Sequence, residues 1–249
     1  MDPEQREPNS SSAGQRDFQT TQWSVVLAAG GSESGAAQAL ESLCATYWLP
    51  LYAFARRRGF TPEDAADITQ GFFAELLRRQ DLRQIDPHKG RFRSFLLAAM
   101  KNFIGNQLQA ARAQKRGGDA QTLSFDFRTA DERLALEPYH EQTPEAVYYR
   151  QWALAVLGQA RMAVCGWYER SGRRDEFDAL QIFVAGDRPK DTYREAAARL
   201  NSTEGAVKVA VHRLRQRFHA EIRRQVALTV ASESEIDDEV KDLFEALRQ

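Results

Sequence analysis

The four histidines, His88, His140, His212 and His219, fall into no metal-ligand spacing such as HExxH, and His212 and His219 stand seven apart among arginines. The two cysteines, Cys44 and Cys165, form no CxxC. Neither a P-loop nor a GxSxG nucleophile turn occurs. These residues point away from an enzyme, a resident metal, a cofactor or a small-molecule substrate. A Ser/His/Asp set assembled only in space would leave no such signature. What does stand out is clustered charge. Residues 51–120 hold 13 Lys/Arg against 7 Asp/Glu, and residues 187–224 hold 10 against 5. Residues 231–249 hold 2 against 7, so a net charge of -1 hides two basic blocks and an acidic tail. Phosphate backbones attract clustered Lys/Arg. Two solvated helical surfaces would show the same counts.

The most informative stretch is TYREAAARLNSTEGAVKVAVHRLRQRFHAEIRR at 192–224. Residues 193–200 read as a short helix with Ala196, Ala197 and Leu200 inward. Asn201 stands where a turn needs a residue tolerant of the left-handed conformation. Thr203 is placed to cap a second helix with Glu204 in its first turn. That helix would bury Val207, Val211, Leu214 and Phe218 and show Gly205, Lys208, Val209, His212, Arg213 and Gln216. A short helix, a tight turn and a basic second helix follow the plan of the DNA-binding helix-turn-helix. An ordinary helical hairpin with a solvated basic side fits the same spacing.

The elements that would carry these residues are helical throughout. Residues 1–17 are polar and too poor in apolar groups to offset ordering entropy, so disorder is expected. Thr20 or Thr21 would cap a short helix with Trp23, Val26 and Leu27, ended by GGSESG. Leu40, Leu43, Cys44, Tyr47, Leu51 and Phe54 mark one helical face, with a kink or break expected at Pro50. Thr61-Pro62-Glu63-Asp64 is a helix start, followed by Ile68, Phe72, Phe73, Leu76 and Leu77. A third helix carries Phe92, Phe95, Leu96, Ala99, Phe103 and Ile104 and ends in a basic run. Residues 117–143 read as a linker with the extended-looking TLSFDF. Thr143-Pro144-Glu145 opens the next helix. Residues 171–174 and 185–191 read as loops. In the tail, Ile236, Val240, Leu243, Phe244 and Leu247 form the stripe of an amphipathic helix. The opening segment has no apolar run, so no secretory signal is expected. No apolar run approaches the roughly 18 residues of a membrane span. A reducing cytoplasm is the expected location.

YREAAARLNSTEGAVKVAVHRLRQRF resembles region 4 of bacterial RNA polymerase sigma factors of the extracytoplasmic-function type, which reads the promoter -35 element. EDAADITQGFFAELL at 63–77 is similar to region 2.2, which grips the polymerase clamp helices. FRSFLLAAMKNFIGNQLQAARAQKRGG at 92–118 is similar to regions 2.3 and 2.4, which open and read the -10 element. The resemblance covers roughly 36–118 and 144–225, in the family's order. Gly71 replaces an acid common in region 2.2, Phe95 takes the usual tryptophan position, and Asn201 replaces the usual turn glycine.

The resemblance implies an all-α protein of two helical domains joined by a linker. Residues 18–35 would be a short extension, 36–116 the region 2 bundle, 117–143 the linker, 144–227 region 4 and 228–249 an acidic amphipathic helix. It implies core RNA polymerase (clamp helices and flap) and promoter DNA as partners, allows an anti-sigma factor, and implies no membrane. Asp64, Asp67 and Gln70 would meet the polymerase, or simply form a solvated face. Arg91, Arg93, Lys101, Arg112, Lys115 and Arg116 would neutralise phosphates at the -10 element, where Asn102 and Asn106 would read bases. Glu204, Lys208, His212 and Arg213 would contact the -35 element. Phe125 and Phe127 would lie in a segment threading the polymerase cleft, or in a flexible tether. The acidic tail would mask the DNA-binding face or complete the domain core. A helix-turn-helix regulator acting without core polymerase would need only 144–225.

Overall fold

Local hydrogen bonds set several helix boundaries. In the computed structural model, which describes residues 33–78, 91–113, 127–135, 142–184 and 192–248, the Thr61 hydroxyl accepts from the Asp64 amide at 3.1 Å. Pro62 then opens a helix, having no N–H to leave unsatisfied. Thr143 and Thr203 cap two further helices through the amides of Ala146 and Ala206, both at 3.2 Å. Thr192 and Glu195 form a reciprocal capping box. Three helices end alike. Gly59, Gly172 and Asn201 have φ of 92°, 66° and 46°. In each case the next amide bonds back five residues: Phe60 to Ala55, Arg173 to Tyr168 and Ser202 to Ala197. This is the Schellman closure, and it requires the left-handed residue.

The described residues are mostly helical and include no strand. The chain divides into two compact units. The first comprises the described residues up to Tyr148 together with Ala227–Ile236. Its helices are α1 (Glu33–Arg57), α2 (Pro62–Arg78), α3 (Phe92–Ala113) and α4 (Phe127–Ala135), followed by the start of α5 (Pro144–Arg170). Tyr47, Leu51, Tyr52, Phe54, Phe73, Phe92, Leu96 and Met100 form its buried interior. The break expected at Pro50 does not occur, since α1 runs through it. A proline inside a helix costs about 3 kcal/mol. The buried neighbours Tyr47, Leu51, Tyr52 and Phe54 offset this at roughly 1.5–3 kcal/mol each.

The linker expected over 117–143 is corrected in part. Residues 127–135 form α4, which packs into the first unit. Phe127 lies edge-on to Trp48 at 5.6 Å and against Tyr52 at 5.2 Å. Asp131 accepts from the Tyr52 hydroxyl at 3.1 Å and from Arg56 Nε at 2.6 Å. Burial, and then the Asp131 carboxylate, push the Tyr52 phenol up to about 12. Phe127 is therefore the first residue of a docked helix, not part of an extended segment. Phe125 lies outside the described residues, as do the expected disordered N-terminus, the short helix at Trp23 and the loop 185–191.

The second unit comprises Tyr149–Val226 and the chain from Asp237. It holds most of α5, then α6 (Arg174–Leu180), α7 (Tyr193–Arg199), α8 (Glu204–Ala227) and α9 (Ile236–Ala246). Val164 and Tyr168 of α5, Phe177 and Leu180 of α6, Ala196 and Ala197 of α7, and Val207, Val211 and Leu214 of α8 share one core. The tail is not a single helix over 228–249. Residues 227–236 belong to the first unit, where the Thr229 carbonyl accepts from the Phe92 amide, one of the open donors at the start of α3. From Asp237 the tail joins the second unit, with Val240, Leu243 and Ala246 buried, Asp237 paired with Arg223, and Arg150 donating to the Leu247 carbonyl. No helix among the described residues is long and apolar enough to cross a membrane.

Candidate nucleic-acid interface

The short loop between α7 and α8 places one helix start in the open. Val207, Val211 and Leu214 point into the core at three- and four-residue steps. The opposite stripe is therefore forced outward. Glu204, Gly205, Lys208, Val209, His212, Arg213 and Gln216 are all exposed. Lys208 Nζ stands 5.8 Å from the centre of the Tyr193 ring, which itself stacks on Phe183 at 4.8 Å. The four residues expected from the sequence, Glu204, Lys208, His212 and Arg213, thus share one accessible helix face. The acidic tail leaves that face uncovered. Its ion pair to Arg223 lies two turns beyond Gln216.

Two arginines beside the stripe were not singled out from the sequence. Arg217 lies over Trp167, 3.4 Å from the ring centre, a cation–π contact. Arg215 donates twice to the Phe183 carbonyl, at 2.8 and 3.2 Å. Arg217 follows Arg213 by one turn, a spacing that was available in the sequence. Its Trp167 partner lies 50 residues away and was not. A groove of about 440 Å³ runs past Trp167, Arg213, Gln216 and Arg217. A second, of about 470 Å³, lies beyond Arg217 and is lined by Met162, Gly166 and Arg170.

The first unit treats its candidates unevenly. On α2, Asp64 and Asp67 are exposed and Gln70 is half-buried. Asp64 also accepts from the Thr61 hydroxyl at 3.0 Å, so it serves the helix cap. Gly71 has a packing reason. A Cβ there would stand 3.3 Å from Cζ of Phe103 on α3, tighter than ordinary contact. On α3, Asn102 and Asn106 are exposed, and so is every residue from Gly105 to Gln109. Lys101 is ion-paired to Glu145 at 2.8 Å. The hydrogen bond from Lys101, with that from the backbone, holds the Glu145 carboxyl below the usual range. Arg91 is half-buried.

Arg93 is a correction. It is only 6% exposed, because it lies on the face of α3 that carries Phe92, Leu96, Leu97 and Met100 inward. Its guanidinium is not available to a phosphate in this conformation. Its carbonyl accepts from the Tyr148 hydroxyl at 2.9 Å. Arg112 lies on α3, although its side chain is outside the described residues, and Lys115 and Arg116 are outside them entirely.

Comparison with protein-family models, curated proteins and solved structures gave no match. The function therefore rests on the residues and on their geometry.

Proposed function

We propose that the chain is a sigma factor: it binds core RNA polymerase, reads the -35 and -10 promoter elements and helps melt DNA for transcription initiation. The observation that carries this reading is the α7–turn–α8 unit. Its turn is closed by Asn201, its second helix is capped by Thr203, and its outer stripe presents Lys208, His212, Arg213 and Gln216. A helix of this kind enters the major groove with its N-terminal turns. Lys and Arg meet phosphates or guanine, and Glu204 is suited to accept from cytosine.

The ordered resemblance of 63–77 and 92–118 to regions 2.2 to 2.4 extends the reading from DNA binding to initiation. The exposed end of α3, with Asn102 and Asn106, supports a role in capturing unpaired bases. Unstacking a base costs a few kcal/mol. Stacking or amide contacts offset it at roughly 1–3 kcal/mol per base. Asp64, Asp67 and Gln70 would meet the clamp. The groove beside Met162, a side chain 66% exposed, is also lined by Arg170, Arg217, Glu221 and Arg224, and is suited to a mixed apolar and charged polymerase contact such as the flap.

The test is run-off transcription with purified protein, bacterial core polymerase and fragmented genomic DNA, with sequencing of transcript 5′ ends. New starts preceded by shared, spaced -35 and -10 elements are expected. No new starts, together with sequence-specific binding by the protein alone, would replace the proposal with a helix-turn-helix regulator acting without polymerase.

A further inference from the structure

Val209 is the one large apolar side chain on the exposed stripe of α8, and half of it (50%) is open to solvent. It lies near the middle of that stripe. Gly205 is one turn before it, Arg213 one turn after, and Lys208 and His212 flank it. The buried positions of the helix are Val207, Val211, Leu214, Ile222 and Val226, and Val209 is not among them. Nor does it favour the helix, since a β-branched residue is a poorer helix former than Ala, Leu or Lys.

Gly205 sharpens the point. A Cβ at 205 would meet only the Thr203 hydroxyl, at 3.9 Å. No packing inside the protein requires glycine there. Its effect is an open space over the first turn, next to Val209, through which an outside group can approach the helix. The surrounding side chains and the helix N-terminus suit an anionic, hydrogen-bonding surface. Within the major groove of DNA, one base-edge group is apolar, the C5-methyl of thymine.

We propose that Val209 is a specificity-determining residue that packs on the methyl group of a thymine in the element read by α8, with Gly205 leaving room for that base. This rests on the DNA-binding part of the proposed function and names one position of its target.

The test begins with selection of duplex DNA from a random pool by the full chain, alone and with core polymerase. Each thymine of the selected element is then replaced in turn by deoxyuridine, which removes only the methyl group. At one position the wild-type protein is expected to bind about four-fold more weakly, the effect of one buried methyl. Val209→Ala is expected to bind the thymine and deoxyuridine forms equally at that position, with a melting temperature unchanged or slightly raised. A selected element with no methyl-dependent position would overturn the assignment. So would a methyl dependence that survives in Val209→Ala. Recovery of no element, with or without polymerase, would overturn the DNA-binding reading itself and this inference with it.

Discussion

Two long helices, α3 and α8, each carry cationic residues expected to meet DNA, and they hold them differently. On α8 the apolar positions keep to one face, so every candidate on the other face is exposed. On α3 the inward face takes in a cation as well, with Arg93 buried beside Phe92, Leu96, Leu97 and Met100. Only beyond Ile104 does α3 stand clear. The same residue type therefore has opposite fates. Arg213 faces solvent and Arg93 is enclosed. An arginine reads as a phosphate ligand only if the opposite face of its helix supplies all the packing the fold needs.

This contrast can be broken by substitution. Joint replacement of Lys208 and Arg213 by Ala should weaken duplex binding by roughly a thousandfold, from two contacts at about 2 kcal/mol each. Its melting temperature should stay put. Equal losses of binding and stability would show that the two faces of α8 are not separate.

Arg93→Ala should do the reverse. Truncating a buried guanidinium leaves its surroundings unsatisfied and should cost about 3 kcal/mol of stability in urea unfolding. If Arg93→Ala instead leaves stability intact and weakens DNA binding, the contrast between the helices fails.

Asn201 tests the turn that aims α8. Asn201→Val should cost about 2 kcal/mol, because a β-branched residue tolerates left-handed backbone poorly. Asn201→Gly should be neutral or slightly stabilising in the same thermal melt. An equal loss in both would place the role of Asn201 in its side chain and not in its φ.

Alkali tests the docking of α4. The Tyr52 phenol is raised in the folded protein, so the folded state keeps its proton while an unfolded chain loses it above its ordinary value of 10. Stability linked to Tyr52 should be intact below pH 10 and fall as pH rises toward about 12. Tyr52→Phe should flatten that fall, as followed by near-ultraviolet circular dichroism.

The smallest effect concerns Lys101. Glu145→Gln should release it and strengthen binding of single-stranded DNA by about two-fold, since an exposed ion pair contributes 1 kcal/mol or less. A weaker complex would mean that Glu145 positions Lys101 for DNA and does not withhold it.

Much of the second unit was legible from residue types alone. Thr203 and Asn201 are local devices that act within five residues, and the alternation of Val207, Val211 and Leu214 with Lys208, His212 and Arg213 fixes which face is wet. The first unit was less legible. Pro50 is a helix breaker by type, but its neighbours are buried deeply enough to keep α1 intact. Gly71 read as a lost acid and proved to be the place where Phe103 comes close. The segment at Phe127 looked like a tether because nothing near it in sequence reveals Trp48 and Tyr52.

The sequence by itself determined the helical character, the helix starts at Thr61, Thr143 and Thr203, and the exposed stripe of α8, because each depends on hydrogen bonds and periodicities spanning a few residues. Tertiary structure alone decided that Arg93 is buried, that α4 docks through Asp131, and that residues 227–236 complete the first unit before α9 joins the second. Those outcomes depend on partners such as Tyr52 for Asp131, 79 residues apart, and Thr229 for Phe92. Burial is settled by which distant surfaces meet, and a local pattern holds no record of that.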